Sequence, residues 1–156
     1  MSKFNINIDK SSPTWQVKVT GTIDEDVDFG LYSLEGAGNI DMHLSDVKSI
    51  NSCGIREWIK WIGSAGQVPV VYNECPKIIV DQINMVQGFL PALGKVQSFF
   101  VPFYSEDSGD EKNVLFTNGK EFDESGAINV PSIKDESGQD MEMDVVEAKY
   151  FKFLKK

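Results

Sequence analysis

A strand that runs through a polar turn into an amphipathic helix constrains this chain more than any other feature, and it lies at residues 40–62. Ile40, Met42 and Leu44 alternate with Asp41, His43 and Ser45, the period-two pattern of a strand with one buried face. A loop follows over 46–50. Ile55, Trp58, Ile59 and Ile62 then recur in steps of three and four, which is one stripe of a helix. Between strand and helix stands Asn51-Ser52-Cys53-Gly54. Ser52 is placed to cap the helix through its hydroxyl. A hydroxyl at such a corner is also accessible chemistry, because the outward-pointing N–H groups of a helix start tolerate negative charge.

The flanking segments supply the rest of a layered fold. Phe4 to Ile8 alternates, Ser11-Ser12-Pro13 turns, and Trp15, Val17 and Val19 form the second strand of a hairpin. Gly21 breaks that pattern, and Asp24, Glu25, Asp26 and Asp28 read as a solvated loop. The segment 29–38 contains Gly30, Gly36 and Gly38, each costing a helix interior about 1 kcal/mol against alanine. It predicts a short or irregular helix anchored by Leu31 and Leu34. Val68 to Tyr72 is a short strand. Pro76 stands at the first helical position of the next helix, whose face carries Ile79, Ile83 and Val86 with Val80 beside them, and Gly88 stops it. Phe89 to Leu93 is an apolar loop, and Val96 to Phe103 reads as the last strand of the sheet. The order predicts an α/β fold over 1–103, a mixed sheet with helices mainly on one face.

The signature run resembles that of STAS domains, the fold of bacterial anti-sigma-factor antagonists. The matching residues are Leu44-Ser45-Asp46-Val47, Ile50 and Asn51-Ser52-Cys53-Gly54-Ile55, with Gly21-Thr22-Ile23-Asp24 as a second matching element. Asn51 stands where the family has aspartate, and Cys53 where it has a second serine. The resemblance implies that Ser52 is the phosphoacceptor. It implies a partner-binding corner of Asp24, Glu25, Asn51, Ser52, Cys53, Gly54 and Arg56. The expected function is a non-enzymatic bacterial regulatory interaction module whose partner is a protein such as a serine kinase/anti-sigma factor. The alternative is a scaffold that has lost the switch and acts by constitutive binding or dimerisation.

Charge narrows the partners. The 156 residues carry a net charge of −9, which argues against nucleic acid, since phosphate binding needs clustered Lys and Arg. No run approaches the roughly 20 apolar residues that span a bilayer, and the start lacks an apolar signal core, so the expected location is the cytoplasm. Cys53 and Cys75 read as reduced thiols, with Cys53 packed in the first turn of its helix. His43 is the only histidine and reads as a packed side chain, so a Ser-His-Asp enzyme is not expected. No phosphate-cradling glycine loop and no calcium loop is present, and no cofactor is implied. Trp58 reads as core, Trp61 as part of a contact surface, and Arg56, Glu57 and Lys60 as the solvated side.

The composition shifts near residue 103: residues 1–103 sum to −3 and 104–156 to −6. The second part reads as a small β-rich appendage. Val114 to Phe116 is a strand, Ile128, Val130 and Ile133 mark another around Pro131, and 147–154 a final helix with Tyr150, Phe151 and Leu154 as contacts. Two turns share a layout, Ser105-Glu106-Asp107-Ser108-Gly109 and Lys134-Asp135-Glu136-Ser137-Gly138. The segment resembles a degenerate zinc ribbon whose four cysteine places hold Ser105, Ser108, Lys134 and Ser137. Hydroxyls and an ammonium cannot replace thiolates, so no metal is expected. Docking of Phe116, Tyr150 and Phe151, or dimerisation, would have to compensate the missing metal-binding energy.

Overall fold

The computed structural model describes residues 4–154 as a mixed α/β protein. Strands β1 (Asn5–Asp9), β2 (Thr14–Ile23), β3 (Asn39–Ile50), β4 (Val70–Asn73) and β5 (Gly94–Val96) make one sheet in that spatial order. β1 runs antiparallel to β2, and every other pair is parallel. Helix α1 (Ser52–Gly63) crosses from β3 to β4, and α2 (Lys77–Met85) from β4 to β5. A parallel pair needs such a crossover because the chain must return to the end of the sheet where the previous strand began.

Register explains which face is buried. Val17, Met42, Tyr72 and Val96 lie in one row across four strands, and all four are buried. Lys18, His43 and Asn73 form the next row and are exposed or half-buried. Successive side chains point to opposite faces, so the sheet has one covered face and one polar face. Helix α1 covers the first: Trp58 donates through Nε1 to the Tyr72 hydroxyl at 3.0 Å, and that hydroxyl donates to the Phe89 carbonyl at 2.6 Å. Burial pushes the Tyr72 pKa well above its ordinary value.

Several local expectations are corrected. β3 does not end before residue 46; it continues to Ile50 along β2. Gly21 pairs with Val47 and Thr22 with Ser49, so Lys48 is skipped and the strand bulges. That slip puts Lys48 and Ser49 side by side in solvent and hides the strand from a period-two reading. Only Phe29–Leu31 forms a 3-10 turn after β2, held by Asp28 accepting from the Gly30 N–H at 3.0 Å. In it Leu31 is 74% exposed, while Phe29 turns inward and stacks on Trp61 at 4.7 Å. Trp61 is therefore core, not contact surface; its Nε1 donates to the Tyr32 carbonyl at 2.6 Å. Pro76 is the cap before α2 rather than its first residue, and α2 ends at Met85, before Gly88.

The stretch 96–103 divides at Gln97. Val96 belongs to the first sheet, whereas β6 (Ser98–Tyr104) is the middle strand of a second, antiparallel sheet with β7 (Glu111–Thr117) and β8 (Glu142–Met143). The backbone is handed over by Cys75, whose N–H donates to the Ser98 carbonyl at 3.1 Å while its carbonyl accepts from Phe100 at 2.8 Å. Phe99, Val101 and Phe103 alternate inward. Phe99 meets Phe116, Phe122, Tyr150, Phe151 and Phe153 at ring distances of 5.1–6.1 Å. The apolar face of β6 is thus filled by aromatics from the tail, which draws it out of the first sheet. The segment around Pro131 forms no strand; Ile128 makes a single bridge to Phe122. Only Glu147–Tyr150 is α-helical (α3), with a 3-10 turn at Lys152–Leu154. Asn84 of α2 ties this end down, donating to the Tyr150 carbonyl and accepting from the Phe153 N–H, both at 2.9 Å. One continuous core runs under both sheets.

Candidate functional site

The corner singled out by the sequence is assembled at the far end of the β2–β3 arm. Beyond the bulge Ile23 pairs with Ile50, and the Asn51 N–H donates to the Ile23 carbonyl at 3.1 Å. That bond fixes where the chain leaves the sheet. Asn51 then does what Ser52 is expected to do. Its Oδ1 accepts from the Gly54 N–H at 2.9 Å and caps α1, and its carbonyl accepts the first helical bond from Ile55 at 2.9 Å. Ser52 is the first helical residue and is exposed. The expected serine cap is corrected: asparagine caps at least as well as serine, and it comes one residue earlier.

Gly54 is required by space. A Cβ built there would lie 2.3 Å from the Ile23 carbonyl oxygen. Only glycine lets the first turn of α1 press on the end of β2, and this brings the Asp24–Glu25 loop beside the helix start. Asn51 Nδ2 donates to Glu25 Oε2 at 2.7 Å. Its own backbone N–H and the Asn51 amide hold the Glu25 carboxyl below the usual glutamate range. Asparagine at 51 thus has a physical reason. An aspartate at 51 could cap the helix but would set a second carboxylate against Glu25, whereas an amide satisfies both neighbours.

Of the expected corner residues, Asn51, Gly54 and Glu25 are linked directly. Asp24 is half-buried and turns the loop, accepting from the N–H groups of Asp26 at 3.0 Å and Val27 at 3.2 Å. Cys53 is a half-buried free thiol, and Arg56 is exposed one turn along the helix. The surface so formed is small and polar, an exposed hydroxyl flanked by acids. Sequence reasoning missed the Asn51–Glu25 link; the facing Asn and Glu are visible in the sequence only once the parallel β2–β3 pairing is known.

The other candidates lie apart from this corner. His43 is half-buried on the polar sheet face, its Nε2 2.6 Å from Gln16 Oε1, while Gln16 Nε2 donates to Asp41 Oδ2 at 3.1 Å. The ring is thus part of a side-chain chain across two strands. Burial pushes the Cys75 thiol far above its ordinary pKa, which leaves it an inert core group. In the second half the two Gly-closed turns meet, but in a different register from the one expected. Ser105 contacts Asp135, and Lys134 points outward to pair with Asp140. Among the described residues no group of three or more His, Cys, Asp or Glu is placed to hold a metal. A cleft of about 560 Å³ runs between α2 and the last segment, lined by Lys77, Asp81, Met85, Tyr104, Val146 and Lys149. It contributes no residue to the Ser52 corner.

Compared with models of known families, with curated proteins and with solved structures, the chain matches none of them. No helix among the described residues is long and apolar enough to cross a membrane.

Proposed function

We propose that this chain is a non-enzymatic protein-interaction module of the STAS kind, with the Ser52 corner as its contact. The observation that carries the reading is the division of labour at the start of α1: Asn51 caps the helix, and Ser52 is left exposed. A serine relieved of capping is open to a kinase. A phosphate there would add nearly two negative charges to a helix start that stabilises them locally. It would also add those charges next to Asn51, the partner of Glu25, whose carboxyl its own backbone N–H and the Asn51 amide hold below the usual glutamate range. A partner shaped for the neutral hydroxyl would be repelled, which is how the switch works on this reading. The partner is a protein, a serine kinase/anti-sigma factor being the one the STAS resemblance suggests, and the setting is the bacterial cytoplasm.

The test uses the full chain, the serine kinases encoded near it, and ATP. Mass spectrometry is expected to place one phosphate on Ser52, and Ser52→Glu is expected to weaken the partner complex while Ser52→Ala preserves it. If no kinase modifies Ser52 but the corner still captures a partner, the switch is lost and constitutive binding remains. A tight homodimer burying the corner, seen by size exclusion with light scattering, would replace the module by a scaffold.

A further inference from the structure

The two turns of the second half, thirty residues apart in sequence, are joined by the carboxylates of Asp135 and Asp110, and of the two only Asp135 is buried. Asp135 is 6% exposed and Ser105 4%. Asp135 Oδ2 accepts the Ser105 hydroxyl at 2.7 Å, and Oδ1 accepts the N–H groups of Ser137 at 2.8 Å and Gln139 at 2.9 Å. The Ser105 oxygen in turn accepts from the Ser108 N–H at 3.3 Å. Gly109 and Gly138 close the turns at φ of +76° and +82°, a region that favours glycine. The nearby cations are spent elsewhere: Lys134 pairs with Asp140, and Lys112 donates to the Lys134 carbonyl at 2.7 Å. Asp110 accepts from the Glu136 N–H at 3.2 Å.

Every neighbour that bonds the Asp135 carboxylate is a donor, which suits an acceptor-only anion. A proton on Oδ1 would face two N–H groups. A proton on Oδ2 would force the Ser105 hydroxyl, already accepting from Ser108, to turn its hydrogen away. We propose that Asp135 is an ionisation-dependent clasp that shuts the 105–109 turn on the 134–139 turn, so that this end loosens in acid as a local unit while the five-stranded sheet stays closed.

The Ser105 hydroxyl first, then the Gln139 N–H, hold the Asp135 pKa below its ordinary value. A depressed carboxylate lends stability above its unfolded pKa and loses it as pH falls through the folded one. Asp110, Glu136 and Asp140, with Lys112 and Lys134, are the other charged groups facing this contact, so the readout must be residue-specific.

The test is an NMR titration of the full labelled chain from about pH 7 to about pH 2.5, spanning the ordinary aspartate pKa of about 3.9. It follows the Asp135 carboxyl carbon and the amide protection of Ser137 and Gln139, corrected for intrinsic exchange. In the wild type, protection is expected to fall by up to about tenfold per pH unit below the folded pKa, while β3 amides hold. Asp135→Asn should start with weaker protection and show no such step. Ser105→Ala, which keeps the carboxylate, should titrate at higher pH. An equal fall in Asp135→Asn, β3 amides opening with the turns, or a titration unmoved by Ser105→Ala would each overturn the clasp. The Ser105→Ala arm decides the matter even if Asp135→Asn does not fold.

Discussion

The molecule holds two aromatic clusters that stabilise it in different ways. Under α1, Phe29, Trp58, Trp61, Tyr72 and Phe89 pack edge-to-face, stacked or tilted, and polar tips are spent inside: Trp58 on Tyr72, Tyr72 on the Phe89 carbonyl, Trp61 on the Tyr32 carbonyl. Around Phe99 the rings are almost all phenylalanine, and the one polar tip, the Tyr150 hydroxyl, donates to the Phe100 carbonyl. The first cluster is directional, pinned to a helix and parallel strands. The second is non-directional and leaves placement of its loops to local devices such as the Asp135 contact. Directional packing fixes geometry to within a hydrogen bond, whereas ring burial fixes mainly contact.

The largest effect should come from Trp58→Ala, with a loss of about 3–5 kcal/mol in denaturant unfolding, since it opens a cavity and removes the donor to the buried Tyr72 hydroxyl. Phe99→Ala should cost about as much by ring volume. Because the core is continuous, both variants should shift one shared transition; two separable transitions would break the idea that the clusters act together. Gly54→Ala is expected to cost about 1–3 kcal/mol through collision with the Ile23 carbonyl. Its amide shifts should concentrate at Asn51, Ser52 and Glu25 rather than around Phe99.

Smaller effects sharpen the contrast at single contacts. Asn51→Ala should cost about 1 kcal/mol as a lost helix cap. It should also let the Glu25 pKa rise toward its ordinary value, read by carboxyl carbon shifts. That sign follows from a depressed carboxylate, whose share is present above the ordinary glutamate pKa and lost as pH falls through the folded one. Least of all, Glu142→Gln should lower the pKa of Tyr104, which its hydrogen bond to the Glu142 carboxylate now raises. Absorbance titration of tyrosinate checks it, and no change would mean that the surface contact is not formed in solution.

Much of the first sheet was legible because alternation and helical steps are local. Ile40, Met42 and Leu44 are all buried, and Trp58 and Ile62 lie on the inner face of α1. The slip at Lys48 was illegible, since a skipped residue is defined by the partner strand. Of the two expected anchors Leu34 is buried but Leu31 faces solvent and Phe29 turns inward, because a 3-10 turn has a different phase from the helix expected there.

Sequence alone determined β1, β2, the first half of β3, β4, the two principal helices and an exposed corner at Ser52, because each is written in residues a few positions apart. Tertiary structure decided that Asn51 caps in place of Ser52, that Gly54 must lack a side chain, that Ser98–Tyr104 leaves the first sheet, and that Asp135 rather than Lys134 meets Ser105. Those outcomes depend on pairs such as Ile23 with Gly54 and Ser105 with Asp135, brought together by the register of parallel strands and the packing of distant rings. Neither partner carries a local signal of the other.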